Sequence, residues 1–343
     1  MIRILKASFK IFKTHFRNHP VAMGIFMFCA FLLIGIEVWF FFAAPPAKNW
    51  LSQNLQNIKN TNYDNYAFAV FGDNKNSHAT FPELLREVSA DKELSFAIDI
   101  GDMVFDGEME KYRYFFRQVH KNMKIPLLTA IGNHELHEKG RGLYYDLFGP
   151  FYYSFKVGRD YFIVIDDANE KGLDQWQQNW LEKELQKAAD YSHRFVFMHV
   201  PLFDPRGAGH HHCLPAEVAH PLLDLFKKYK VSHVFASHIH SYYTGDWEGI
   251  PYTITGGAGG ELVGKNPDHD FFHYLKVSVK DSEVKISVMP IKTPDFEWLD
   301  RIGSMAWIYF YALIRLHGVE IAILLLMAYA LAVAFEIKGP DKY

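Results

Sequence analysis

Ala130-Ile131-Gly132-Asn133-His134-Glu135 is the stretch on which the reading of this chain turns. It closes a buried apolar run, 125–131, with a glycine that lets the backbone turn, an amide whose carbonyl oxygen can face a metal, and an imidazole that can move a proton beside it. Alone, the hexapeptide proves little. Four further β-type runs end in the same manner, at Gly72-Asp73-Asn74, Gly101-Asp102, Met198-His199-Val200 and Ser237-His238-Ile239-His240. In α/β folds the chemistry collects at strand ends, so these endings point to one site assembled from distant parts of the chain.

Working outward, short β-type runs at 66–71, 95–100, 161–165, 195–199 and 231–235 alternate with helical patterns at 82–90, 108–122, 174–189 and 215–229. That alternation predicts a parallel or mixed sheet flanked by helices. Residues 252–255, 274–279 and 284–289 read as later strands, the last two as a hairpin around Lys280-Asp281-Ser282, and a second sheet packed on the first is expected. The globular domain is placed at 66–295. Residues 46–65, polar and amide-rich, read as a tether or a short helix.

With 343 residues, 49% hydrophobic and 16% aromatic, the chain has ample material for a core. A net charge of -3 gives no basic footprint, so nucleic acid is not an expected partner. Cys29 and Cys213 make no disulfide framework, because Cys29 lies inside an apolar run. That run, 21–44, has Glu37 as its only charge and follows a segment bearing Arg3, Lys6, Lys10, Lys13 and Arg17 with no acidic residue. It is long enough to cross a bilayer, and the basic flank keeps the N-terminus in the cytoplasm. A cleaved signal peptide fits less well, since the run exceeds the usual apolar core and Pro45-Pro46 stands where cleavage would fall. Residues 319–335 are again apolar and can span, while 302–314, with Trp307, Tyr309 and Tyr311, reads as an interfacial helix; a hairpin dipping in and out of the membrane is the competing reading. The expected organisation is a basic tail and span at 1–45, the tether, the domain, and an interfacial helix with a second span at 296–343. The domain would then lie outside the cytoplasm on a membrane of the bacterial inner-membrane type.

The candidate ligands Asp73, Asp102, Asn133, His199, His238 and His240 supply carboxylate, amide and imidazole groups and no sulfur, a set that suits Mn, Fe or Zn. Asp102 has two oxygens and can bridge a pair of ions. His238 and His240, two apart, share one face of an extended segment. Lys75, Asn74 and His211 are candidate substrate contacts; for His211, within His210-His211-His212-Cys213, a solvated loop is the bland alternative. Residues 259–265 nearly spell a nucleotide-binding loop, but Asn266 stands where a hydroxyl should hold magnesium and Pro267 follows. The glycines of 256–260 read better as backbone passing close to the site.

In order and completeness these motifs resemble the calcineurin-like metallophosphoesterases over roughly 66–290, as Gly72-Asp73-Asn74-Lys75, Gly101-Asp102-Met103-Val104, Gly132-Asn133-His134-Glu135, His199 and Ser237-His238-Ile239-His240. The resemblance implies an α/β fold of two mixed β-sheets sandwiched between helices, and two divalent or trivalent metal ions. Asp73, Asp102 and His240 would hold one ion, and Asp102, Asn133, His199 and His238 the other. It implies hydrolysis of a phosphomonoester or phosphodiester, lipid-linked or soluble, by metal-activated hydroxide. His134 would be the general acid, oriented by a carboxylate such as Asp99 or Asp106. Two departures stand out. Lys75 occupies the place of a histidine ligand, which leaves it to meet phosphate or water, with His78 as a substitute ligand; Phe105 stands where purple acid phosphatases carry a tyrosinate, so a purple di-iron site is not expected. Ser237 in place of a glycine reads as a small change. The alternative function is a degenerate, non-catalytic module that binds a phosphorylated ligand or a protein. Oligomeric state is not specified by any of these features.

Overall fold

The computed structural model describes residues 45–59, 65–207, 209–280, 283–292 and 312–337, with stretches of 21–38 and 302–310; side chains of the last helix are described as far as Met327. The chain divides into two compact units, 1–44 with 309–343, and 45–308.

In the larger unit, α1 (Trp50–Lys59), β1 (Tyr66–Phe71), α2 (Thr80–Ala90), β2 (Leu94–Asp99), α3 (Met109–Asn122) and β3 (Leu127–Thr129) are followed by a single 3₁₀ turn at His134–Leu136 and α4 (Gly140–Phe148). Then come β4 (Tyr153–Val157), β5 (Asp160–Val164), α5 (Gln175–Ala188), β6 (His193–Phe197), α6 (Ala216–Lys228), β7 (His233–Ala236), β8 (Tyr242–Trp247), β9 (Ile250–Thr255), β10 (His273–Lys280) and β11 (Glu283–Pro290). Five strands form one mixed sheet in the order β11-β10-β1-β2-β3, and six form a second in the order β4-β5-β6-β7-β9-β8. β1, β2 and β3 run parallel, as do β5, β6, β7 and β9, while β4, β8, β10 and β11 pair antiparallel.

The period-two alternation of side chains sorts each central strand between two cores. From β1, Phe68 and Val70 enter the layer between the sheets, whereas Ala67, Ala69 and Phe71 pack with Phe81, Leu84, Leu85 and Val88, a helical stripe of α2. From β5, Phe162 and Val164 face the first sheet and Tyr161 and Ile163 pack with Leu181 and Leu185 of α5. The intersheet layer is aromatic: the Phe68 ring lies 5.2 Å from Phe96, 5.3 Å from Phe162 and 5.7 Å from Phe195. Such pairs contribute about 0.5–1.5 kcal/mol each beyond burial, so the layer holds the two sheets, and hence the strand ends, in one register.

The expected strands are present with ends shifted by a residue or two, except that β3 stops at Thr129 where the chain leaves the sheet. The sequence reading omitted β4 and β8, both edge strands of the second sheet with partly exposed residues, and α4. Half-solvated edges lack the continuous apolar run that marked the others. The 46–65 segment is not an open tether but contains the short helix α1, whose Leu51 and Ile58 are buried. Trp50 Nε1 donates to the Leu127 carbonyl at 2.8 Å, and Asn54 Oδ1 accepts from Leu127 N at 3.0 Å. In the smaller unit, residues 28–35 are helical and α7 (Ala312–Ile337) departs from helical geometry at His317. Among the described residues no helix is long and apolar enough to cross a membrane. The basic segment 1–20 and part of the expected interfacial helix at 302–314, including Trp307, Tyr309 and Tyr311, lie outside the described residues.

Candidate metal centre

The parallel strands deliver their C-terminal ends to one edge of the sandwich. There the backbone bends sharply: Asp73 (φ 61), Asp102 (φ 57) and His238 (φ 67) all adopt the left-handed region, which costs a non-glycine residue on the order of 1–3 kcal/mol. The turns hold one another in place. Asp73 N donates to the Gly101 carbonyl at 3.0 Å, and Lys75 N to the Asp102 carbonyl at 2.9 Å. Gly101 (φ +104) has no room for a side chain, since a Cβ would sit 2.7 Å from His199 Nδ1.

At this edge the donors converge. His199 Nε2 lies 3.0 Å from Asn133 Oδ1 and 3.3 Å from Asp102 Oδ1. His238 Nδ1 lies 3.2 Å from the same Asn133 oxygen and 3.3 Å from His199 Nε2. His240 Nε2 faces Asp73 Oδ1 at 3.7 Å. The far nitrogens are held by backbone: His199 Nδ1 donates to the Ile100 carbonyl at 3.0 Å and His240 Nδ1 to that of Glu261, which turns the free lone pair of each ring inward. His134 follows the same rule, its Nδ1 donating to the Phe105 carbonyl at 2.6 Å while Nε2 accepts from Lys75 Nζ at 3.0 Å. The Lys75 ammonium is also 3.4 Å from Asp102 Oδ2.

Five carboxyl groups lie buried around these rings, those of Asp73, Asp99, Asp102, Glu135 and Asp167. Burial alone would raise Asp102, but His199, Lys75 and His134 outweigh it and hold this carboxyl well below its ordinary value. Burial, then the Asp102 charge, pushes Glu135 up to about 7, and burial pushes Asp167 up to about 7 against the pull of His199. Burial and the neighbouring His199 drive His238 down to about 2, and burial lowers His240 against the pull of Asp73. His238 and His240 are thus neutral as metal binding requires, whereas His199 is drawn up, against burial, by Asp102, Asp73 and Asp167, a proton that a cation would displace.

Residues 66–242, about half of the chain, match the calcineurin-like phosphoesterase family. The chain belongs to that family. Among curated relatives, it is 29% identical over 169 residues to the Fe(3+)-Zn(2+) purple acid phosphatase 12 of Arabidopsis thaliana, a match covering 48% of this chain and 30% of that protein. It is 23% identical to a probable cyclic nucleotide phosphodiesterase of Xenorhabdus bovienii (strain SS-2004), covering 52% of this chain and 69% of that one. The chain thus spans less than a third of the length of the first of these. Among solved structures, the purple acid phosphatase PPD1 of yellow lupin superposes with a TM-score of 0.55 at 16% identity, covering 70% of this chain and 55% of that one. A dimetal phosphatase of Danio rerio superposes at 0.52 with 12% identity, covering 68% and 98%. These likenesses confirm the two-sheet fold.

A calcineurin-like centre needs oxygen and nitrogen donors that lack other partners, and this cluster fits. Ligand atoms of Asp73, Asp102 and His199 all lie within 4.8 Å of one another, and Asp73 Oδ1 is buried with no hydrogen-bond partner. An uncompensated carboxylate oxygen in that position is strongly unfavourable unless a cation meets it.

The structure brings together all six expected ligands, with His134 and Lys75 beside them. Other expectations need correction. His134 is oriented by a backbone carbonyl, not by Asp99 or Asp106: Asp106 pairs with Lys111 and His137, and Asp99 accepts from Asn74 Nδ2 at 2.8 Å. Asn74, read as a substrate contact, is buried, with its Nδ2 committed to Asp99. His78 bonds Tyr114 at 2.6 Å instead of completing a metal shell. His211 is exposed; it is His212 whose ring lies against His238, at 5.5 Å. The glycines of 256–260 do pass close to the site, as expected, with Gly260 N donating to the Asp73 carbonyl at 2.6 Å.

Three supporting residues escaped the sequence reading. Glu135 accepts from the amides of Asp102, Val104 and Gly132 at 2.7–3.0 Å, tying the second and third strand-end loops together. Asp167 accepts from His199 N and Val200 N at 2.9 Å each. Its position just past the apolar run ending at Ile165 is the same strand-end signal that marked the others. Ser237 is not a neutral replacement, since its hydroxyl donates to Asp73 Oδ2 at 2.7 Å.

Proposed function

We propose that this chain is a metal-dependent phosphoesterase that hydrolyses a phosphomonoester or phosphodiester at the Asp73–His240 edge. The observation that carries the reading is the convergence of Asp102, Asn133, His199 and His238 donor atoms at 3.0–3.3 Å beside an unpartnered, buried Asp73 oxygen. Asp73, Asp102 and His240 would hold one ion and Asp102, Asn133, His199 and His238 another, with Mn, Fe or Zn suited to these ligands. Such ions supply Lewis acidity toward a phosphoryl oxygen and make water nucleophilic near neutral pH.

The chain's own groups do the rest. Because Nδ1 of His134 is committed to the Phe105 carbonyl, Nε2 is the atom that faces the cluster and meets the departing oxygen. Burial lowers the His134 pKa, Asp102 opposes that, and Lys75 reinforces it; Nε2 accepts from Lys75 Nζ, so it delivers a proton to the departing oxygen after taking one up or by relaying it from the ammonium. Lys75 adds a fixed positive charge for a phosphate oxygen, and His212 stands on the His238 side of the opening. The Phe105 side chain places an apolar ring 5.6 Å from the His134 ring, where a tyrosinate would be needed for a purple centre.

The membrane anchor belongs to the same proposal. It is supported by the apolar run 21–44 behind its basic flank, by the exposed side chains of Phe28, Phe31, Leu32 and Ile34, and by those of Ile323, Leu324, Leu325 and Met327. The apolar run 319–335 is the second sequence feature behind it, and it lies in the helix that continues from Gly318 to Ile337 beyond His317. An anchored enzyme with its domain outside the cytoplasm favours a lipid-borne phosphate, with a soluble extracytoplasmic phosphoester as the second source. Metal analysis of the full chain with p-nitrophenyl phosphate, bis-p-nitrophenyl phosphate and phospholipid assays tests the activity. Bound metal with turnover supports it; a folded, metal-replete protein inert on all of them identifies a binding module instead. A reporter fused at Asn60 that scores as cytoplasmic reverses the topology.

A further inference from the structure

We infer that the Lys75 ammonium takes the place of part of a metal shell at the Asp73 end of the cluster, so that the chain holds one cation tightly and the second weakly, in ready exchange. The inference rests on the metal-centre reading above. At the His199 end, ligands of a tetrahedral ion bound at about 2.0–2.1 Å would lie about 3.3–3.4 Å from one another. The donors there already stand at that spacing: His199 Nε2 is 3.3 Å from Asp102 Oδ1, 3.3 Å from His238 Nδ1 and 3.0 Å from Asn133 Oδ1, and His238 Nδ1 is 3.2 Å from that oxygen. Little rearrangement is needed to admit an ion.

The Asp73 end is poorer. Asp73 Oδ1 and His240 Nε2 are 3.7 Å apart, Asp73 Oδ2 is engaged by the Ser237 hydroxyl, and Asp102 Oδ2, the oxygen a second ion would share, faces Lys75 Nζ at 3.4 Å. Nor is the ammonium free to withdraw without loss, because it bonds His134 Nε2 at 3.0 Å and its backbone is fixed through the Asp102 carbonyl. A resident positive charge both removes one donor position and repels an incoming dication. Charge balance at this end is therefore met partly by protein, which lets the second ion come and go while the first stays.

The test uses the full chain in detergent, stripped with a chelator and titrated with Zn²⁺ by calorimetry, with metal counted after desalting. Wild type is expected to keep about one Zn²⁺ per chain and to bind a second roughly 100-fold more weakly. Lys75→Met, which removes the charge together with the bond to His134 Nε2 and adds no nitrogen or oxygen donor, should narrow that gap about tenfold, and Lys75→His, which also restores a donor, should retain two ions through desalting. Two equally tight sites in wild type, or an unchanged gap in both variants, overturns this inference and leaves the phosphoesterase reading standing. A chain that takes up no Zn²⁺ at all overturns both.

Discussion

The donors that the first sheet brings to the cluster are oxygens, from Asp73, Asp102 and Asn133; those from the second are nitrogens, from His199, His238 and His240. Each half is braced by one buried carboxyl group that accepts backbone amides, Glu135 in the first and Asp167 in the second. The oxygen half is the more strained, with Asp73 and Asp102 both left-handed and Lys75 among them, whereas in the nitrogen half His199 leaves its strand without such a turn and only His238 is left-handed. The difference teaches that the nitrogen half is a preformed cradle, and that the oxygen half depends on cations and on cross-links to stay together.

The largest effect follows from breaking the cradle. His199→Ala removes the ring that touches Asp102, Asn133 and His238, so metal retention should vanish and phosphoesterase turnover should fall to background. Elemental analysis beside the p-nitrophenyl phosphate assay reads both; a variant that keeps its metal and its rate removes His199 from the centre.

His134→Ala tests a group that faces the cluster without belonging to it. Metal content should stay at the wild-type level while kcat drops by roughly 10²–10⁴, the usual span for a positioned proton donor. An unchanged kcat would assign proton transfer to water or to Lys75, which stands 3.0 Å away.

How much of this was legible beforehand follows the same division. The six candidate donors that converge were readable because each sits where an apolar strand ends, and strand ends carry a sequence signal. The braces were not, because Glu135 and Asp167 act on backbone amides whose positions depend on how the loops close in three dimensions. Asn74 was misread for the same reason: its place beside Asp73 says nothing about its side chain turning to Asp99. Edge strands β4 and β8 lacked a continuous apolar run, and α1 was polar enough to leave tether and short helix undecided, although Trp50 and Asn54 fasten it to β3.

The braces can be weighed against each other by pH. Glu135 and Asp167, each pushed up to about 7, keep protons in the folded state that ordinary carboxyls release around pH 4 to 5. Their folded-state pKa values lie above the unfolded ones, so the share of stability each contributes to the metal-free protein is lost as pH rises from about 4.5 to about 7, by on the order of 3 kcal/mol per group, while the lowered His238 and His240 act in the opposite sense. Metal should flatten that slope by compensating the charge. Glu135→Gln should remove its share and, by turning an amide N–H₂ toward a backbone N–H, destabilise the protein by about 1–3 kcal/mol and slow turnover roughly 10–100-fold. Denaturant midpoints of stripped wild type and Glu135→Gln across this pH range decide it: a difference between the two that does not change with pH would mean that Glu135 carries no proton near neutrality.

The smallest change sits where the halves meet. Ser237 belongs to the loop after β7, yet its hydroxyl holds Asp73 Oδ2 at 2.7 Å and also reaches the Thr255 carbonyl at 3.2 Å. Gly72 is bare for the same reason, since a Cβ there would meet the Ser237 side chain. Ser237→Gly deletes this cross-link without touching a donor nitrogen, so the second carboxylate oxygen of Asp73 becomes available to a cation. If the oxygen half depends on being tied to the nitrogen half, turnover should fall by about tenfold, the lower end for an outer partner of a ligand, with KM little changed. If instead the bond merely occupies an oxygen that a metal could use, Zn²⁺ affinity at the Asp73 end rises and turnover holds, which would show the two halves to be independently braced.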